Sequence, residues 1–177
     1  MLRTALIATA ALAALAGGST AAANVLHARM QLATPDGPGA DVGTVTISDS
    51  YEGARISVNL HGLPPGQHGF HVHTNPSCAP GMVNGAMADA GAAGGHFDPG
   101  HNMSHEGPFG FGHLGDLPYL TVSADGGDHE TLLAPQIHDV LGLKNRSLII
   151  HAGGDNYSDS PKPLGGGGAR IACGVLA

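Results

Sequence analysis

The segment Gly69-Phe70-His71-Val72-His73 sets two histidines two residues apart. On an extended strand, successive side chains point to opposite faces, so we expect His71 and His73 on one face while Phe70 and Val72 pack on the other. Neutral imidazole is the commonest protein ligand for transition metals. The spacing therefore predicts a strand with one packing face and one face able to hold a metal ion.

A second set of donors follows as His96, His105, His113 and Asp116. Both sets offer nitrogen and carboxylate donors without a thiolate, a choice that favours Cu(II) or Zn(II) over Cu(I) or iron–sulfur chemistry. Four such ligands complete a tetrahedral zinc site. His101 lies in the same stretch and competes with His105, and spacing alone does not decide between them.

The other histidines carry less weight one by one, because a single histidine in a loop is more often solvated or hydrogen-bonded than a ligand. We place five in that ordinary class: His27, His61, His68, His129 and His138.

Short strands must position these donors. Apolar and polar residues alternate with period two in most of the chain outside its loops, and Gly, Pro, Asn and Asp separate the runs. This pattern predicts an all-β fold, an antiparallel sandwich or barrel. The predicted strands cover residues 26–32, 44–48, 54–61, 119–124, 129–134, 147–151 and 170–176, and only 137–144 suits a turn or so of helix.

Two long segments, 74–118 and 152–168, do not fit the regular strand spacing. Loops of this length in a compact domain are usually functional or disordered. The first contains the second donor set and Cys78, so we interpret it as a loop ordered by metal.

The N-terminus is typical of an export signal. Arg3 supplies a positive start, residues 5–16 are apolar, and Ala21-Ala22-Ala23 offers a cleavage site before Asn24. The apolar run is too short for a membrane anchor, which needs about 20 residues. We therefore divide the chain into a signal peptide, 1–23, and one exported domain, 24–177, expected in the periplasm or a similar compartment.

The charge composition limits the classes of molecule that the protein is expected to bind. Seven Lys plus Arg stand against fourteen Asp plus Glu, which gives a net charge of −7. Without a basic patch, nucleic acid is an improbable partner. An acidic chain repels anions at long range, so an anionic substrate would need local positive charge to draw it in.

Two cysteines, Cys78 and Cys173, remain after the signal. An oxidising compartment would pair them, whereas two buried thiols are the alternative. We favour the disulfide because an export signal precedes it. The bridge would tie the segment after the first histidine pair to the last strand.

A series of motifs in order resembles one family, the copper/zinc superoxide dismutases, and in particular their exported bacterial branch. The resemblance covers nearly all of the mature chain. The matching stretches are GFHVH at 69–73, GGHFDP at 94–99, HEGP at 105–108, GHLGDLP at 112–118, VLGL to IIHAGGDNYSD across 140–159, and GGGGARIACGV at 165–175.

The resemblance implies a Greek-key β-sandwich or flattened barrel with two long functional loops, and the disproportionation of superoxide to dioxygen and hydrogen peroxide. It implies that copper is bound by His71, His73, His96 and His151, and zinc by His96, His105, His113 and Asp116. His105 is preferred over His101 because the Gly-Pro of the family pattern follows it.

Three further roles follow from the resemblance. His96 would bridge the two metals, which requires its ring to lose the second proton. Asp155 resembles the carboxylate that joins a copper ligand to a zinc ligand, although a turn residue is its ordinary role. Arg170 resembles the arginine that guides the anion to copper, with a surface ion pair as the alternative.

Other functions remain open on the residues alone. His71 and His73 with one distant histidine would also make a catalytic zinc set, typical of a hydrolase or hydratase with one metal. A copper carrier on the same fold is a third hypothesis. The residues do not fix the oligomeric state, and a homodimer is compatible with them.

Overall fold

The structure, a computed structural model, describes residues 23–177. The predicted signal peptide lies outside the described residues, apart from its last residue, Ala23. Eleven strands form in this part of the chain: β1 (Val25–Thr34), β2 (Gly37–Ser50), β3 (Gly53–Leu60), β4 (Gly66–His68), β5 (Phe70–His73), β6 (Gly81–Val83), β7 (Ala86–Ala88), β8 (Leu120–Val122), β9 (Thr131–Ala134), β10 (Ser147–His151) and β11 (Arg170–Val175).

Seven strands make one curled antiparallel sheet in the order β5-β10-β11-β1-β2-β3-β9, a half-barrel. The smaller pairs β4-β8 and β6-β7 stand beside it. The predicted all-β Greek-key architecture is confirmed. No helix among the described residues is long and apolar enough to cross a membrane.

The core lies on the concave face of the sheet, and β3 shows why. Its residues alternate between buried and exposed positions, with Ala54, Ile56, Val58 and Leu60 turned inward. The same face of β5 and β10 adds Phe70, Val72, Leu148 and Ile150 to this core. Period-two alternation therefore decides which face of each strand is left for the site.

The strands at the β5 edge are buried on both faces. All four residues of β5 and all five of β10 are buried. Their inner residues belong to the core, so their outer residues must be covered by something else. The long segment 74–118 provides that cover, with Ala90 and Ala93 packed against Ile149 and Cys173.

The structure differs from the sequence expectations in local detail. Segment 74–118 is not free of secondary structure, since it contains the β6-β7 hairpin and a 3-10 turn, Gly91–Ala93. Short pieces of this kind are too brief to show a hydrophobic period. The expected helical turn at 137–144 forms as a 3-10 helix, Val140–Leu143, and a third 3-10 helix spans Leu164–Gly166.

A disulfide joins Cys78 to Cys173, which confirms the predicted pairing. The bridge fastens the start of segment 74–118 to β11, the strand that begins with Arg170. The disulfide thus holds the covering loop against the sheet.

Candidate metal centre

The register of β5 and β10 brings three histidines to one face. His71 pairs with Ile149 and His73 with Ser147. His151 lies two residues beyond Ile149 and therefore on the same face, and its backbone N–H donates to Gly69 O at 2.8 Å. As the alternation predicts, Phe70 and Val72 pack in the core while His71 and His73 share the other face of β5.

Segment 74–118 reaches the same place by pairing with the free edge of β5. Isolated bridges join His73 to His96 and His71 to Asp116. Backbone bonds fix this docking, with Phe97 N–H donating to Val72 O at 2.8 Å and Val72 N–H donating to Gly115 O at 2.9 Å. Residues distant in sequence are thereby set beside His71 and His73.

The first set groups His71, His73, His96 and His151, all buried, with their ligand atoms within 4.8 Å of one another. In each of these rings, one nitrogen already has a partner, and the partner of His96 Nδ1 is Asp116. His73 Nδ1 donates to Gly94 O at 2.8 Å, His151 Nδ1 donates to Gly168 O at 3.1 Å, and His71 Nε2 donates to Asp155 Oδ2 at 2.7 Å.

These bonds fix the tautomer of each ring, because a carbonyl or carboxylate oxygen accepts and the ring nitrogen must donate. The lone pairs are therefore on His71 Nδ1, His73 Nε2 and His151 Nε2. All three atoms are buried without a hydrogen-bond partner in the described part of the chain. Buried, unpaired lone pairs that face one another fit a bound metal ion and are otherwise costly.

Electrostatics keeps these rings neutral. Burial, helped by the neighbouring histidines, holds the pKa values of His71 and His73 well below their usual range. Burial likewise lowers the pKa of His151 to about 4. Only a neutral imidazole has a lone pair to give, so the rings are ready to bind metal at neutral pH.

The second set groups His96, His105, His113 and Asp116. The Nδ1 atom of each of its three histidines lies close to the Asp116 carboxylate. His96 Nδ1 lies 2.8 Å and His113 Nδ1 lies 3.3 Å from Oδ1, and His105 Nδ1 lies 2.9 Å from Oδ2. His105 Nδ1 nevertheless lacks hydrogen-bond geometry. Donors that meet around one point in this way fit a tetrahedral zinc site.

His96 belongs to both sets. Its Nδ1 faces Asp116, which leaves Nε2 for the first set. Burial lowers the pKa of His96, although Asp116 opposes this. The structure places His105 in the second set and leaves His101 exposed on the same loop. The preference for His105 therefore agrees with the geometry.

The charges of the second set favour a bound cation. Burial alone would raise the pKa of the Asp116 carboxyl, but His105 and His96 outweigh it and hold that pKa far below its usual range. Burial would lower the pKa of His105, but contacts with Asp116 and Asp155 outweigh it and raise the pKa to about 9. In the metal-free protein, His105 therefore favours its protonated form at neutral pH.

We expect zinc binding to the metal-free protein near pH 7.5 to release about one proton, because His105 must deprotonate before it ligates. The apparent zinc affinity should rise about tenfold per pH unit and level off near pH 9, since the proton competes only below that pKa. Calorimetry in buffers of different ionisation enthalpy measures the proton count. Zinc binding without proton release would contradict this protonation state.

Asp155 connects the two sets. Its Oδ2 accepts from His71 Nε2 at 2.7 Å and its Oδ1 lies 2.8 Å from His105 Nε2. The side chain is fully buried. Gly165 makes room for it, because a Cβ there would come within 1.9 Å of Asp155 Oδ1. Asp155 thus holds a ring of the first set and a ring of the second set in fixed orientation.

Arg170 stands at the opening. A cavity of about 200 Å³ is lined by His73, His96, His151 and Arg170, among others. The guanidinium donates to Ala90 O at 2.7 Å and Gly94 O at 2.6 Å. It has no carboxylate within ion-pair distance among the described residues. The surface ion pair considered from sequence is absent there, and the positive charge faces the cavity.

Several contributors carried no sequence signal. The carbonyl oxygens of Gly94 and Gly168 orient His73 and His151, and backbone acceptors cannot be recognised from residue type. His68, assigned to the ordinary class, is buried with its ring nitrogens 2.7 Å from Pro64 O and His151 O. It supports the backbone of His151 and lies outside both ligand sets.

The fold and the site together define a class of protein. It is an all-β protein whose sheet edge brings together two adjacent groups of side chains that could hold metal ions, one of four histidines and one of three histidines and an aspartate, with one histidine in common. Residues 42–176 match the family model described as copper/zinc superoxide dismutase.

Known proteins agree with this match. A Cu-Zn superoxide dismutase from Brucella abortus biovar 1 is 57% identical over 148 residues, which cover 84% of this chain and 86% of that protein. The solved Brucella abortus enzyme has a TM-score of 0.85 at 55% identity, over 87% of this chain and 100% of that one. The monomeric Salmonella enterica enzyme in solution has a TM-score of 0.76 at 49% identity, with the same coverage.

The chain belongs to the copper/zinc superoxide dismutase family. It is therefore an oxidoreductase with copper and zinc as cofactors, and its reaction is the disproportionation of superoxide to dioxygen and hydrogen peroxide.

Proposed function

We propose that His71, His73, His96 and His151 hold the copper that carries out this reaction, and that His96, His105, His113 and Asp116 hold the zinc. The observation that carries the proposal is the three buried ring nitrogens of His71, His73 and His151. Their lone pairs have no hydrogen-bond partner among the described residues, and the ligand atoms of these side chains lie within 4.8 Å of one another. The shared position of His96 supports two metals rather than one.

Copper supplies the redox chemistry when bound, accepting an electron from one superoxide and returning it to a second, while zinc has no redox chemistry and contributes charge and structure. The residues of the chain bind the metals and hold the ligand rings in a fixed orientation. The bonds to Gly94, Gly168 and Asp155 keep the lone pairs of the copper ligands aimed at one point. Fixed rings lower the reorganisation needed during turnover.

His96 has a second task in this proposal. A ring that held both metals would have to give up both of its protons, and its Nδ1 faces Asp116. Nε2 would then be the nitrogen able to take a proton and pass it to the peroxide product. The balance is two superoxide ions and two protons converted to one dioxygen and one hydrogen peroxide.

Arg170 draws the anion toward the cavity. The chain is acidic overall, with a formal net charge of −7, so long-range attraction is absent and a local charge must act. The guanidinium is held by two backbone oxygens and lines the same cavity as three copper ligands. We assign it to substrate guidance.

Replacing Arg170 with Glu should lower the second-order rate constant for superoxide by on the order of tenfold or more, and should weaken or reverse its salt dependence, because salt screens attraction and repulsion alike. Pulse radiolysis at several ionic strengths measures both. Arg55→Glu, an exposed site with the same charge change, is the matched control. If both variants lose rate equally, Arg170 has no local role.

One experiment tests the proposal as a whole. Metal analysis of the loaded protein should find one copper and one zinc per chain, and the copper-loaded protein should consume superoxide catalytically. One zinc and no copper would favour the single-metal hydrolase. Stoichiometric copper without superoxide turnover would favour the copper carrier.

We also propose that the chain is exported and that residues 1–23 are removed. The Cys78–Cys173 disulfide supports this, since such bonds persist in oxidising compartments. Sequencing of the mature N-terminus should begin at Asn24. A retained Met1 would refute the proposed cleavage.

A homodimer is a further part of the proposal. Phe109 and Phe111 are 65% and 82% exposed on the zinc-binding loop, and exposed aromatic side chains are typical of interfaces. The Salmonella enterica relative is described as monomeric. Sedimentation velocity across a range of concentrations distinguishes the two states, and a single monomer peak at every concentration would reject the dimer.

A further inference from the structure

The β6-β7 hairpin presents two methionines side by side. Met82 pairs with Met87 in its antiparallel register, around the two-residue turn Asn84-Gly85. Directly opposed residues share one face of such a pair, with Cβ atoms about 4.5–5.5 Å apart. Met82 is 63% and Met87 66% exposed. Two thioethers therefore stand together in solvent and take little part in packing.

The hairpin sits at the opening of the copper site. Val83 and Asn84 line the cavity that also contains His73, His151 and Arg170. An adjoining groove is lined by Met82, Val83, Asn84, Leu164 and Arg170, among others, so the groove and the cavity share most of these residues. Met82 thus lines a groove that borders the cavity containing three of the four histidines of the first set.

The hairpin is firmly attached to the domain. Gly81 lies so close to the Gly91–Ala93 turn that a Cβ there would come within 2.6 Å of Ala92 N. The disulfide at Cys78 holds the chain three residues earlier. These two attachments consequently fix the position of the methionine pair relative to the cavity.

The chemistry of this pair differs from that of the established donors. Thioether sulfur is soft and selects Cu(I), whereas imidazole and carboxylate suit Cu(II) and zinc. Thioethers also carry no proton at neutral pH, so binding needs no proton release. Between Cys78 and His96, the only charged residue is Asp89. The two sulfurs are thus the soft ligands that this hairpin offers to a cation.

We propose that Met82 and Met87 form a docking site for Cu(I), from which the ion moves along the groove to the four-histidine set. The inference rests on the proposed copper site and adds a route of entry to it. No change of oxidation state is required, because the ion enters the histidine site as Cu(I).

Methyl NMR tests the docking site directly. In reduced, copper- and zinc-loaded protein with labelled methionine methyl groups, the histidine sites are filled and Ag(I) serves as a redox-silent soft probe. The Met82 and Met87 resonances should shift together and saturate at one equivalent. Met103, 80% exposed and outside any strand, and Met30, fully buried, are internal controls. Equal shifts at Met103, or no shift at the pair, would overturn the proposal.

Loading kinetics test the route. Zinc-loaded, copper-free protein is given Cu(I) from a weak carrier complex, and copper uptake is followed by metal analysis. Met82→Leu with Met87→Leu should slow uptake on the order of tenfold, because docking converts a bimolecular search into a local transfer. Final copper content should be unchanged, and Met103→Leu should load like the wild type.

The outcomes separate the two proposals. Equal uptake rates in the wild type and the double variant would refute the docking site and leave the copper site intact. Failure of every protein, wild type included, to retain copper would refute the copper site itself.

Discussion

A His96→Ala chain is expected to lose zinc affinity by more than about 100-fold, since removal of even an outer partner of a metal ligand costs 10–100-fold. His96 contributes to both ligand sets, and its Nδ1 lies 2.8 Å from Asp116 Oδ1. Copper should be partly retained by His71, His73 and His151, whose lone pairs do not depend on His96. Competition with a chromophoric chelator measures each affinity separately.

The same variant tests whether one ring serves both metals. When zinc is replaced by a second Cu(II), wild-type protein should show two magnetically coupled coppers by EPR near neutral pH, and acid should uncouple them. His96→Ala should show no coupling at any pH. The matched control is His101→Ala, an exposed histidine on the same loop outside both sets. Two independent copper signals in the loaded wild type would rule out the shared ligand.

Removal of the disulfide is expected to lower the free energy of unfolding by about 4–5 kcal/mol, the chain-entropy value for a closed loop of this length. The bridge spans 95 residues. Cys173 is buried, so the test variant combines Cys78→Ser with Cys173→Ala. Denaturant unfolding of the metal-free protein avoids a contribution from metal binding.

Reduction provides the control for this prediction. Reduced wild-type protein should lose as much stability as the double variant, and the double variant should not respond to reductant. A loss below about 1 kcal/mol would mean that packing around Ala90, Ala93 and Ile149 holds the loop without the bridge.

Local sequence patterns predicted much of this site because the strands obey period two. The alternation of Phe70 and Val72 with His71 and His73 divides β5 into a core face and a histidine face, and the structure has that division. The donor types of His96, His113 and Asp116 likewise predict a metal site from the sequence alone. These are properties of side chains close together in sequence.

Other features depend on contacts between residues far apart in the sequence, and local sequence patterns could not predict them. The choice of His105 over His101 rested on family resemblance, because both lie in one irregular loop. The docking of His96 beside His73 comes from backbone bridges to the edge of β5. The β6-β7 hairpin has strands of three residues, too short for a period to show.

The acceptors that aim the site have a consequence for how this protein tolerates mutation. Gly94 O receives both His73 Nδ1–H and the Arg170 guanidinium, and Gly168 O receives His151 Nδ1–H. These acceptors are main-chain oxygens, so no substitution deletes them as it would a side chain. Loop substitutions that keep the path of the backbone therefore leave His73 and His151 oriented, whereas His71 depends on the Asp155 side chain. Insertions or deletions that reroute the backbone are the changes that this arrangement cannot absorb.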